Sequence, residues 1–304
     1  MKSLVEFEDL MEKCVIEATL GGPEKLTQAM LYAVFPGGGR VRPQLAFGIW
    51  ASMQRRRDRA LMGAAMAVEL IHCASLVHDD MPCFDDASMR RGKPSVHREF
   101  GEDVALLTGD ALIVAAFDVL ARFSAHRPEI VSSLVRLLGE AVGASRGIVA
   151  GQAAELESEV DVAHVHRLKT GALFEGIAAM TALVAGQDET AWRLIGSRLG
   201  MAYQLADDIH DVVGRAEDGG KPTSQDVRNH KPNAVFDRDL VTAARQLHEH
   251  IGVAIDAIPE GNGKARLASM LTRFAKRLCP ESLVPREISY LYRRADDRAQ
   301  LGVA

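Results

Sequence analysis

The stretch that decides the reading is His72-Cys-Ala-Ser-Leu-Val-His-Asp-Asp-Met-Pro-Cys-Phe-Asp-Asp-Ala-Ser-Met-Arg-Arg-Gly-Lys-Pro-Ser-Val-His97. Asp79, Asp80, Asp85 and Asp86 are four carboxylates within eight residues, and Arg90 and Arg91 follow directly. The plain account is a solvated loop with internal salt bridges. The chemical account is a polyanion held through metal. Carboxylate oxygens bind hard Mg²⁺, Mg²⁺ binds phosphate oxygens, and guanidiniums bind phosphate directly. A second cluster tips the balance. In Gln204-Leu-Ala-Asp-Asp-Ile-His-Asp211 the residues Gln204, Asp207, Asp208 and Asp211 recur at spacings of three and four, so they share a helix face. Like charges so spaced repel one another, and a cation belongs in front of them. Met201, Leu205, Ile209, Val212 and Val213 form the opposite, apolar face. Two such clusters point to a dinuclear or trinuclear Mg²⁺ site on a diphosphate.

The 304 residues carry a net charge of −5, with 47% hydrophobic and 25% charged residues. That is ordinary for a globular chain and offers no general attraction to nucleic acid. No Pro/Gly/Ser-rich linker divides the chain, and the two acidic clusters lie more than a hundred residues apart. One domain over 1–304 is therefore expected. The cysteines Cys14, Cys73, Cys83 and Cys279 form no C-x-x-C pair, so reduced thiols in a cytosol are expected rather than zinc or a redox motif. The longest unbroken apolar run noted, Ala111–Phe117, is too short to span a bilayer. No integral membrane segment is expected.

Periodicity predicts helices over about 3–19, 24–34, 42–53, 60–80, 111–123, 129–143, 144–157, 162–185 and 188–213, with three more after about 236. No alternating run is long enough for a sheet. Glu69 and His72 form a single E-x-x-H; a di-iron bundle needs a second pair, which is missing. On residues alone His72 reads as a core histidine, Lys169 as a snorkelling lysine, and Gln152 and Glu155 as either pocket or packing residues. The basic run 54–59 reads as a solvated loop.

The chain resembles the trans-prenyltransferases (isoprenyl diphosphate synthases), most of all the geranylgeranyl diphosphate synthases of bacterial carotenoid and bacteriochlorophyll pathways. Five segments carry the resemblance, in the family's order. They are Phe35-Pro-Gly-Gly-Gly-Arg-Val-Arg-Pro43, the His72–His97 stretch, His166-Arg-Leu-Lys-Thr-Gly-Ala-Leu-Phe174, Gln204–Asp211 and Gly220-Lys-Pro-Thr-Ser-Gln-Asp226. The resemblance implies an all-α fold: a single large helical bundle of the isoprenoid synthase type with a central pocket. It implies head-to-tail condensation of an allylic diphosphate with isopentenyl diphosphate, and a cytoplasmic homodimer. Asp79, Asp85, Asp207 and Asp211 would hold two or three Mg²⁺ ions, with Asp80 and Asp208 beside them. Arg90, Lys169, Gln204 and Lys231 would bind the allylic diphosphate, with Thr170 and Lys221 close by. Arg40, His72 and Arg91 would bind the homoallylic one. Catalysis would rest on Asp79, Asp85, Asp207 and Lys169. A lysine usual in the family is replaced by Gly39.

Ser75 and Ala74 lie four and five residues before Asp79, about one helical turn deeper. Aromatic residues near this depth accompany shorter products in the family. Both are small here, which favours a C20 product, geranylgeranyl diphosphate, over C15. The alternatives are a farnesyl diphosphate synthase, a class I terpene cyclase, a non-catalytic synthase subunit and a purely structural helical protein.

Overall fold

Alanine, leucine and methionine at helical spacing, with few internal prolines, make helix the default state of this chain. The computed structural model describes residues 2–35, 38–56, 58–159, 161–217, 240–261 and 263–279, with side chains described for 4–210 and from 240 onward within those ranges. The described residues form α1 (Lys2–Ala18), α2 (Glu24–Val34), α3 (Val41–Ser52), α4 (Arg59–Asp79), α5 (Val96–Phe100), α6 (Glu102–Ser124) and α7 (Pro128–Val142). They continue with α8 (Ile148–Ala154), α9 (Val162–His166), a π-helical turn (Arg167–Gly171), α10 (Ala172–Val184), α11 (Thr190–Glu217), α12 (Leu240–Asp256) and α13 (Lys264–Leu278). The fold is all-α, and the only strands among the described residues are β1 (Met89–Arg90) and β2 (Lys93–Pro94). Two compact units emerge: a first of 1–47 and 57–138, and a second of 48–56 and 139–304.

In the first unit α4 is the core helix. It is apolar on all sides, with Ala64, Ala65, Met66, Ala67, Val68 and Leu70 fully buried. The Asp58 carboxylate caps its start by accepting from Ala60 N at 2.8 Å. His126 and Arg127 reach the same carboxylate at 3.1 and 3.3 Å, tying that end to the turn after α6. Glycines let α4 and α6 approach closely at both ends. A Cβ on Gly63 would lie 2.6 Å from Phe123 Cβ, and one on Gly109 would lie 2.0 Å from His78 Nε2. His78 Nε2 also lies 3.2 Å from the Leu106 carbonyl.

Two expectations need correction here. α6 begins at Glu102, nine residues before the predicted start, because Gly101 (φ 97°) turns the chain and Glu102 and Asp103 favour the positive end of the helix dipole. Gly109 then sits inside the helix, where His78 needs the space. Counting unbroken apolar runs also missed that α4 and α6 are each long and apolar enough to cross a membrane, with mean window hydropathies of 1.8 and 2.0. α4 is a core helix, with 78% of its window buried inside the protein. α6 is 44% buried and turns Leu106, Leu107 and Val114 outward.

The short hairpin was not legible by alternation. Met89 pairs with Pro94 and Arg90 with Lys93. Its two-residue loop, Arg91 (φ 52°) and Gly92 (φ 76°), has positive φ at both positions, as a type I′ turn requires.

In the second unit α11 packs against both α10 and α12. Leu205 and Ile209, on the predicted apolar face, are buried. All four cysteines are free: Cys14, Cys73 and Cys279 are buried and Cys83 is exposed.

Burial alone holds the His248 imidazole of α12 at about 4, below the ordinary 6.5. The native state therefore binds fewer protons than the unfolded state between those values. Stability rises with pH across that window and is lost as pH falls through it. Denaturation in urea at pH 7 and pH 4.5 should show this loss. His248→Asn should reduce the pH-dependent part by about 2 kcal/mol; equal pH dependence in the two proteins would contradict it.

Candidate active site

In the first unit α4 ends at Asp79 and the chain folds back. Asp85 N donates to the Asp79 carbonyl at 3.0 Å, Asp86 N to that of Met81 at 3.1 Å, and Ala87 N to that of Asp80 at 3.1 Å. The backbone of Asp85 is thereby returned to the end of α4, and both Asp79 and Asp85 are half-buried. Asp80 is 2% exposed and receives the Arg90 guanidinium, with Nε 3.1 Å from each carboxylate oxygen and Nη2 also bonded. Asp86, in the left-handed region at φ 45°, accepts from Arg98 at 2.7 Å and lies 3.7 Å from His97. Two of the four carboxylates thus pair with cations of their own loop, which fixes its shape.

The cations group around His72. Enclosure by protein first, then the charges of Arg42, Arg91, Arg40 and Arg90 in that order, hold its imidazole well below the ordinary histidine value. His72 is therefore neutral at physiological pH, with one ring N–H to donate. A cationic cluster whose histidine stays neutral suits an anionic ligand. Arg91 is exposed, and its guanidinium lies over Gly38, where a Cβ would come within 2.8 Å of Nη2. Lys93 stands over the Tyr32 ring at 4.6 Å and donates to the Phe35 carbonyl at 3.2 Å. Tyr32, Cys73, Asp80, Arg90, Arg91 and Lys93 line one recess.

Arg40, which the resemblance assigns to the homoallylic diphosphate, sits in a dense set of protein contacts. It is 3% exposed and donates to Glu8 at 2.7 and 2.9 Å, to Glu69 at 2.9 Å and to the Val34 carbonyl at 2.9 Å. Against the cost of burial, Glu8 and Glu69 raise its pKa. In this arrangement Arg40 ties α1 to α4. Sequence spacing gave no sign of these two glutamates as its partners.

The second unit builds its cluster on the π-helical turn Arg167–Gly171, a local underwinding of the kind common at functional sites. Glycines let two helices touch its backbone. A Cβ on Gly151 of α8 would lie 2.6 Å from Lys169 N, and one on Gly200 of α11 would lie 2.6 Å from Gly171 Cα. Lys169 Nζ donates to Glu155 at 2.9 Å. Thr170 Oγ1 donates to Gln204 Oε1 at 2.7 Å, and Gln204 Nε2 donates to Asp208 Oδ1 at 3.0 Å. His166 Nε2 lies 3.9 Å from the other Asp208 oxygen. Asp207 is exposed while Asp208 is 4% exposed. The helix face drawn from spacing is thus split between an outward carboxylate and a buried, hydrogen-bonded one. His166 was quoted in a motif but given no role. Asp211 lies on α11 with its side chain outside the described residues, and Lys221 and Lys231 lie outside them altogether.

The donor chemistry fits Mg²⁺. Asp79, Asp85 and Asp207 supply hard carboxylate oxygens. Among the described residues no three His, Cys, Asp or Glu side chains close a metal site by themselves.

Residues 23–260 match the Polyprenyl synthetase family, and the chain belongs to it. It is 45% identical over 285 residues to a geranylgeranyl diphosphate synthase of Cereibacter sphaeroides, covering 92% of this chain and 99% of that one. It is 42% identical over 272 residues to one of Rhodobacter capsulatus, covering 89% and 94%. A farnesyl diphosphate synthase of Geobacillus stearothermophilus is 37% identical over 247 residues, covering 77% and 82%. Among solved structures, a geranyltranstransferase of Thermotoga maritima superposes with a TM-score of 0.73 at 29% identity, covering 89% of this chain and 97% of that one. An isoprenoid synthase family member of Thermotoga neapolitana gives 0.71 at 30% identity, covering 88% and 98%.

Gly38→Ala tests the seat of Arg91. The added methyl must push the guanidinium aside. A charge-assisted contact is worth about 1.5–3 kcal/mol, so affinity for inorganic pyrophosphate should fall roughly tenfold or more, with an unchanged helical circular dichroism spectrum. Unaltered affinity would mean that Arg91 does not meet the anion from this seat.

Proposed function

We propose that this chain is a geranylgeranyl diphosphate synthase, a prenyltransferase that joins isopentenyl diphosphate head-to-tail to an allylic diphosphate. The observation that carries the reading is the co-occurrence of two acidic clusters with a cationic group around a neutral His72. The near-full-length identity to geranylgeranyl diphosphate synthases supports it. The family match spans residues 23–260 and so runs through both compact units, which favours treating 1–304 as one catalytic domain.

Asp79, Asp85, Asp207 and Asp211 would hold Mg²⁺, with Asp80 and Asp208 as buried neighbours that fix the clusters. The ion supplies charge that neutralises the leaving diphosphate. The chain's own residues do the rest. Arg90, Lys169, Gln204 and Lys231 bind the allylic diphosphate, with Thr170 orienting the Gln204 amide and Lys221 nearby. His72 and Arg91 bind the isopentenyl diphosphate. Arg40, held by Glu8 and Glu69, would join them, with Arg42 nearby. Alanine-rich helices supply inert walls that keep water from the allylic cation. The released diphosphate is the base for the last proton, so no side-chain base is needed.

Ala74 is buried and Ser75 half-buried, its hydroxyl turned to the His72 carbonyl at 2.9 Å. Neither side chain is large enough to stop chain growth at C15. Each added methylene gains about 0.8 kcal/mol on burial, so length is set by a steric wall rather than by affinity. We place the enzyme in the cytoplasm as a homodimer. The outward Leu106, Leu107 and Val114 of α6 support a partner chain as their cover.

Two substitution experiments test the assignment. Asp79→Ala and Asp207→Ala should each lower turnover by about 10²–10³-fold or more, since charge builds only as the diphosphate leaves, while helicity persists. Near-normal turnover in either variant contradicts the role. Ala74→Phe should move the product from C20 to C15; an unchanged C20 product would show that Ala74 does not line the growing chain.

A further inference from the structure

We propose that Glu155 is a positioning residue that presets the Lys169 ammonium for the allylic diphosphate, an inference that rests on the prenyltransferase function above. Lys169 lies on the π-helical turn, so a regular helix does not fix the direction of its long side chain. Two features of the second unit do. The backbone of α8 touches that of the turn, with the Gly151 Cα so close that a Cβ would meet Lys169 N at 2.6 Å and Lys169 Cα at 2.9 Å. Glu155, four residues beyond Gly151 and capping α8, bonds Lys169 Nζ at 2.9 Å. The two side chains are only 22% and 17% exposed, so solvent screens the pair less than it would a surface bridge.

An ammonium carries three donors, and the bond to Glu155 uses one of them. Donation to a phosphate oxygen is therefore compatible with the pair staying intact. A free lysine would lose rotamer freedom when the diphosphate arrives. Glu155 removes that freedom beforehand, and preorganisation of this kind appears in affinity. A packing role for Glu155 would instead act on stability. A competitive role, in which Glu155 must be displaced, would make its removal strengthen binding.

Steady-state kinetics and calorimetry on the full chain separate these cases. Glu155→Ala should raise both the KM for farnesyl diphosphate and the Kd for inorganic pyrophosphate by about three- to tenfold, the cost of ordering the Lys169 side chain on binding. The kcat and the KM for isopentenyl diphosphate should stay within about twofold. Glu155→Gln, which keeps an acceptor oxygen, should recover most of the loss. In a Lys169→Ala background Glu155→Ala should change pyrophosphate affinity no further, because it acts through that lysine. An unchanged or lowered KM and Kd in Glu155→Ala, or a full further loss in the Lys169→Ala background, overturns the inference. If the unaltered protein turns over no allylic primer, the prenyltransferase reading has failed, and the pyrophosphate titration still decides whether Glu155 presets Lys169.

Discussion

The close approach of α4 and α6 is the constraint on which the first unit depends. Gly63 admits Phe123 at one end of the antiparallel pair and Gly109 admits His78 at the other. With both ends fixed, the carboxyl end of α4 has a defined position, and so has the turn that carries Asp79 and Asp85. Close-packed helices respond to misfit by shifting rather than by compressing. The small Gly109 against His78 is thus a condition for the geometry of the adjoining carboxylates, and Gly63 fixes the far end of the same helix. The second unit solves the same problem with other parts: Gly151 and Gly200 bring two helices onto the backbone of the π-helical turn, where Lys169 and Thr170 sit.

A common logic governs the charges. Several buried or half-buried ions among the described residues are paired, which offsets the cost of burying a charge. Arg40 meets Glu8 and Glu69, Asp80 meets Arg90, and Lys169 meets Glu155. Asp208 accepts from Gln204, which itself accepts from Thr170. These pairs hold the surrounding groups in register. Asp207 and Arg91 are exposed by comparison, and the recess beside the hairpin is lined by Arg90, Arg91 and Lys93. Paired and outward charges therefore differ in burial more than in residue type, and burial was the quantity hidden in the sequence.

That difference explains what could be read from the sequence and what could not. Both aspartate clusters were legible, because like charges at fixed spacing are costly without a counter-ion. The all-helical fold was legible from periodicity, including the apolar face of α11. The division between Asp207 and Asp208 was not, since one helical step separates an exposed residue from a buried one. The partners of Arg40 were not legible, because Glu8 and Glu69 lie 32 and 29 residues away in sequence, beyond any local pattern. The start of α6 was set too late because Gly109 reads as a break, and only the packing of His78 shows why a glycine is needed there. The type I′ hairpin escaped notice because Arg91 occupies a position that glycine or asparagine usually fills. Nothing in the periodicity distinguishes the π-helical turn from the helices on either side of it.

The central claim is that this chain extends an allylic diphosphate to C20. The most direct measurement is product analysis of the unaltered protein, incubated with Mg²⁺, isopentenyl diphosphate and farnesyl diphosphate, by liquid chromatography and mass spectrometry. The account requires inorganic diphosphate and geranylgeranyl diphosphate in equal amounts, with no turnover once Mg²⁺ is chelated. A product that stops at C15, a cyclic hydrocarbon, or no consumption of isopentenyl diphosphate with any allylic primer would contradict it.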